Sequence, residues 1–146
     1  MTSWILRLGL AALCLCAPRL LPAQDADLHP SAPAVRKAVI ASIEGQLAAF
    51  RAHDLDQAYG FAAAPLRAQF PVDRFAAVVR EGYPEIWANV RAEFGIVNDS
   101  GTSAAVNVRV YGAAGSAAYD YQLIREPGGW RIGGVLRHAP KPADNV

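Results

Sequence analysis

The hydrophobic spacing of this chain changes character once, and that change limits what it can fold into. As far as Gly82 the apolar residues recur every three or four positions; after Tyr83-Pro84 they alternate. The first spacing belongs to one face of an α-helix and the second to a strand with one wet face. Helices followed by a run of sequential strands is the order of an α+β fold, with helices on one face of an antiparallel sheet.

In the helical part, Val35, Val39, Ile43, Leu47 and Phe50 share one face, while Arg36, Lys37, Glu44 and Arg51 fall away from it. Ser31 reads as the N-cap of this helix and Pro33 as a residue of its first turn. Gly45 lies in the middle, where glycine costs about 1 kcal/mol, so a close neighbour is expected there. Asp54 should cap a second helix, with Gln57 three residues on. Leu55, Ala58, Tyr59 and Ala62 form its buried face. Pro65 and Pro71 interrupt the path and leave a short helical turn between them. Asp73 reads as the cap of a third helix that buries Phe75, Val78 and Val79 and stops at Gly82.

Four strands follow. Trp87–Val97 alternates through Val90, Ala92, Phe94 and Ile96, and Asn98-Asp99-Ser100-Gly101 turns it. Val106, Val108 and Val110 mark the second strand, Tyr119, Tyr121 and Leu123 the third. Trp130, Ile132 and Leu136 mark the fourth, beyond the hairpin signal Glu126-Pro127-Gly128-Gly129. A meander with Gly-rich bends should twist and curl. The expected architecture is therefore N-terminal helices packed in the concave face of a curved four-stranded antiparallel sheet.

The N-terminus reads differently. Arg7 is followed by the apolar run Leu8–Ala17, and Leu20–Gln24 offers Ala23 as a small residue at a cleavage point. This is the pattern of a signal peptide over residues 1–23, and Pro18-Arg19 stops the run short of a membrane span. The division expected is a signal peptide at 1–23, a flexible arm at 24–34, one α+β domain at 35–138 and a disordered tail at 139–146. Such a protein would be periplasmic or secreted, with no stable membrane anchor after cleavage. Cys14 and Cys16 would leave with the peptide, and so would Arg7 and Arg19. The 14 basic residues become 12 against 13 acidic ones, a net charge of −1. That is not the footprint of a nucleic-acid binder.

Asp54–Ala62 (DLDQAYGFA), Ala68–Phe75 (AQFPVDRF), Gly82–Trp87 (GYPEIW) and Gly128–Gly134 (GGWRIGG) resemble an exported bacterial family known as domain of unknown function 4864. That family is similar to the superfamily of nuclear transport factor two and the ketosteroid isomerases. The resemblance spans about Val35 to Arg137 and implies a cone-shaped, cystatin-like roll with a pocket. It implies no activity, because this scaffold carries enzymes, binding modules and dimerisation modules alike. Where the family pattern has Ala-Ser-Pro after the second helix, this chain has Ala62-Ala63-Ala64-Pro65.

Two groups of residues could carry chemistry. Asp54 and Asp120 are candidate general bases, with Tyr59 as a hydroxyl partner, for proton transfer next to a carbonyl. Against this, Asp54 also reads as a helix cap, a role that lowers its pKa rather than raising it. The second group is aromatic: Tyr59, Phe61, Tyr83, Trp87, Tyr121 and Trp130. Coming from both layers, these could line a pocket for a small apolar or aromatic ligand, or simply fill the core. His29, His53 and His138 lack metal-site spacing, and no metal or cofactor is expected. Arg91, Arg109, Arg125 and Arg131 fall on neighbouring strands and could form a cationic stripe for an anionic ligand, but read rather as a solvated face or a homodimer surface, paired with Glu93, Asp120 and Glu126. The function that fits best is a non-catalytic small-molecule-binding or protein-interaction module. The alternatives are an isomerase- or dehydratase-type enzyme and a structural homodimer joined through the outer sheet face.

Overall fold

The computed structural model describes residues 27–113 and 115–138. The signal peptide and tail read from the sequence lie outside the described residues. Within them the fold is α+β, with helices packed against one face of an open antiparallel sheet.

Helix α1 (Pro33–Arg51) is the main packing element, and it buries Val39, Ile43, Leu47 and Phe50 on the face that the sequence spacing marks. Its N-cap is Ala32, with no side-chain cap. Ser31 instead directs its hydroxyl to Asp99 and its backbone N–H to Val97 O at 2.9 Å. Helix α2 (Leu55–Gly60) is capped by Asp54, whose carboxylate accepts from the Gln57 N–H at 3.0 Å. Helix α3 (Ala64–Gln69) is the short turn between the prolines, and α4 (Val72–Gly82) buries Phe75, Ala76 and Val79. Pro71, not Asp73, is the N-cap of α4; the fixed φ of proline suits that junction, and Asp73 sits in the first turn without capping. A short helix, α5 (Pro84–Trp87), then fills the place where the alternating pattern was expected to begin. Pro84 at its first turn favours this local helix over an early strand.

The sheet has five strands rather than four, in sequential order: β1 (His29–Pro30), β2 (Asn89–Asp99), β3 (Ser103–Gly112), β4 (Gly115–Glu126) and β5 (Gly129–Arg137). The extra strand comes from the expected arm, where His29 and Pro30 pair with Asp99 and Asn98. Two residues of pairing carry no hydrophobic alternation, so the sequence offers nothing to read there.

Strand β2 departs from simple alternation because its register slips twice. Phe94 faces Val108 but Val97 faces Val106, so one extra residue bulges out between them. Gly95 permits this close approach, since a Cβ there would stand 3.2 Å from Asn107 O. The bulges turn Val90 and Ile96 outward, 64 % and 72 % exposed, although both were expected on the apolar face. A third slip puts an extra residue, Gly133, in β5, where a Cβ would meet Ile124 Cδ1 at 2.9 Å.

Between the layers lie Val106, Val108, Val110, Tyr119, Tyr121, Leu123, Trp130 and Ile132 of the sheet, packed on α1. Gly45 of α1 is the expected close approach: a Cβ there would fall 2.4 Å from Phe61 Cζ. The opposite sheet face mixes polar pairs with exposed apolar residues, among them Leu136, which pairs with Asp120 on that face and is 68 % exposed instead of buried with Trp130 and Ile132. Arg91 lies 2.7 Å from Glu93 and over the Tyr111 ring, whose hydroxyl donates to Glu93 at 3.0 Å. Glu126 does not join an arginine stripe but accepts from the Ala64 N–H at 3.0 Å.

Candidate functional site

A cavity of about 140 Å³ opens where α3 and α4 meet α1 and β5. Its buried floor is Phe50 of α1, Phe75 and Val79 of α4, Ile86 of α5 and Ile132 of β5, together with Gln46. The half-buried rim is Leu66 and Phe70, Val78, Tyr83, and Gly134 and Val135. The β5 bulge at Gly133 sets this edge and turns Val135 towards the cavity opposite Tyr121. The walls are apolar apart from two groups. Tyr83 donates its hydroxyl to Val135 O at 3.0 Å, and Gln46 Nε2 donates to Ala58 O at 3.2 Å.

The rings singled out from the sequence are not gathered around this cavity. Tyr83 lines it. Tyr59 stands one layer behind, its ring 5.3 Å from Phe75 and its hydroxyl 2.6 Å from Phe70 O and 2.9 Å from Arg67 O. Phe61 packs against Gly45, and Trp87 lies against Phe50 at 5.9 Å with the Arg80 guanidinium on it. Tyr121 and Trp130 are buried in the sheet–α1 core. These residues do face between the layers, as their spacing implies. What spacing does not reveal is the place where the two layers fail to fill each other. Apart from Tyr83, none of the lining residues is singled out for a pocket by the sequence, for that reason. Gln46 alone had a signal: it is a polar residue at helical spacing between Ile43 and Phe50 on an otherwise apolar face.

The acid–base candidates are not assembled. Asp54 is exposed and its carboxylate accepts from the α2 backbone. Asp120 projects from the sheet face opposite the helices, where it accepts from Asn107 Nδ2 at 3.1 Å and lies 2.5 Å from His138 Nε2. Those partners, Asn107 first, hold its carboxyl below the usual value even though partial burial opposes this. Tyr59 is in the helical layer, so the sheet itself stands between Asp120 and Tyr59.

A different polar cluster surrounds α5. Glu85 accepts from the Tyr119 hydroxyl at 2.5 Å and from Arg137 Nη2 at 2.7 Å. Burial opposes the charge on Glu85, but the hydrogen bonds from Arg137 and Tyr119 outweigh it and hold the carboxyl below its ordinary value. Burial and the bond to Glu85 push the Tyr119 hydroxyl up strongly. The Tyr83 ring lies 5.9 Å from that of Tyr119. Buried Asn89 completes the cluster, donating to Leu47 O at 3.0 Å and Ile86 O at 2.8 Å while accepting from Arg51. Every polar atom here serves another part of the chain, so the cluster reads as a fastening for one wall of the cavity.

Among the described residues no group of three or more His, Cys, Asp or Glu side chains is placed to hold a metal ion, and no helix is long and apolar enough to cross a membrane. No curated protein matches the chain, and no solved structure matches it. The family model described as a domain of unknown function (DUF4864) matches residues 33–144, which takes in every element from α1 to β5, and the chain belongs to that family.

Proposed function

We propose that this chain is an exported, non-catalytic domain that binds a small apolar molecule in the cavity between α4 and β5. The observation that carries the reading is the cavity itself: about 140 Å³ with almost wholly apolar walls, at the edge of the core. An apolar recess of this volume has room for a benzene-sized molecule. Such space lowers stability in an unliganded protein, because the lining atoms lose contacts on one side. A cone-shaped sheet of the nuclear transport factor two and ketosteroid-isomerase type would suit this use. The enzyme reading loses support because Asp54 and Asp120 are engaged elsewhere.

Titrating the purified protein with toluene, followed by nuclear magnetic resonance, tests the reading. A Kd on the order of 1 mM or tighter is expected, with the largest shifts at Val79, Ile132 and Val135. Val79→Ile, which grows into the cavity, should weaken binding several-fold without unfolding the chain. Absence of saturable binding, or shifts confined to the outer sheet face, would remove the proposal. Export has its own support in the Leu8–Ala17 run and its own test. The mass of protein recovered from the periplasm or medium should lack residues 1–23, and an intact N-terminus in the cytoplasm would contradict it.

A further inference from the structure

We propose that Gln46 makes this cavity selective for a small ring-sized molecule that carries a hydrogen-bond donor, a phenol rather than a hydrocarbon. The inference rests on the binding function proposed above and assigns the chemistry of the ligand. Gln46 is 4 % exposed and lines the cavity, so its polar atoms have little else to meet. Its amide orientation is fixed by chemistry: Ala58 O can only accept, so the nitrogen faces it, at 3.2 Å, and the carbonyl oxygen is turned away. That oxygen takes part in no hydrogen bond among the described residues. Nor is it sealed into the core, because the Tyr121 hydroxyl is the fully enclosed side-chain atom left without a partner among the described residues. Gln46 lines the cavity, which is where a ligand would reach that oxygen.

The second polar group on the wall offers the same chemistry. The Tyr83 hydroxyl has its hydrogen on Val135 O, which leaves its lone pairs for any newcomer. Acceptors at an apolar wall favour a ligand that brings the hydrogen. A hydrocarbon would leave the Gln46 carbonyl dehydrated and unpaired, and a ligand offering only lone pairs could engage just the second Gln46 N–H while the carbonyl and the Tyr83 oxygen stayed without a hydrogen.

Phenol, toluene and fluorobenzene, of similar size, separate the possibilities. Affinities are measured on the whole purified protein and compared with each compound's partition from water into octanol. Relative to that partition, phenol should bind about five- to tenfold tighter than toluene. The Gln46 side-chain amide resonance should move with phenol and stay with toluene. Gln46→Met should abolish the phenol advantage while toluene still binds. If that variant does not fold, the wild-type series and the amide resonance decide alone. Toluene binding with no advantage for phenol, or a larger advantage for fluorobenzene, overturns the assignment and leaves the binding function standing. If none of the three binds, the function and the assignment fall together.

Discussion

The α5 end of the interior and the α3–α4 end lie side by side but are built in opposite ways. Around α5 the polar groups are matched: Asn89, Glu85, Tyr119 and the partly exposed Arg137 bind one another or nearby carbonyls. Under α3 and α4 the surface is apolar and the space is not filled. Directional bonds fix the geometry of the first region, whereas the second depends on shape alone. Tyr83 and Ile86 belong to both, since they line the cavity from the segment that the polar cluster fastens. A cavity wall held by hydrogen bonds can keep its position without material behind it.

The contrast can be broken most severely at Asn89. Asn89→Ala would leave Arg51 without its acceptor and remove donors from Leu47 O and Ile86 O, at a cost of about 2–4 kcal/mol. Urea unfolding would read the loss, and toluene binding should weaken with it. If stability falls by less than about 1 kcal/mol, the polar cluster is not what fastens the wall.

Glu85 gives a milder test, and one that depends on pH. Glu85→Gln removes the charge that Tyr119 and Arg137 bind, and about 1–2 kcal/mol is expected, because Arg137 is partly exposed and solvent screens the pair. The carboxyl is more acidic in the folded chain than its ordinary value of 4.5. Its stabilisation is therefore complete above about pH 4.5 and is lost as the pH falls through the lowered folded value. Wild type and Glu85→Gln should converge in stability at low pH. Parallel curves down to pH 2 would show that the charge contributes nothing.

The smallest effect is expected at Tyr121, which stands between the two regions. It shares a strand face with Tyr119 and pairs with Val135 at the cavity edge. Its hydroxyl is enclosed without a partner among the described residues, and burial pushes its pKa up strongly. Tyr121→Phe should be neutral or up to about 1 kcal/mol stabilising, read as a raised Tm. A loss would place Tyr121 with the fastened region instead of at its boundary.

The layers and much of the packing were legible in advance. The spacing from Val39 to Phe50 marked the buried face of α1, Asp54 announced its own cap, and Gly45 marked a close approach that Phe61 makes. Reading failed where a single residue shifts the pattern. Bulges in β2 put Val90 and Ile96 in solvent, and Pro84 set a helical turn at the expected start of a strand. The candidate site was less legible than the fold. Of the six inward rings, Tyr83 lines the cavity and the other five lie elsewhere between the layers.

What the sequence determined by itself is the order of the main helices and strands and, where no bulge intervenes, the side of each that turns inward. Those follow from local preferences and from a hydrophobic period repeated over many residues. Only the tertiary structure decided that Asp120 and Tyr59 are separated by a sheet, that Glu85 meets Tyr119, and that Gln46 looks onto empty space. Those outcomes depend on how two layers are offset and on which volumes remain unfilled between them. Volume is shared among residues distant in the chain, so no local pattern records it.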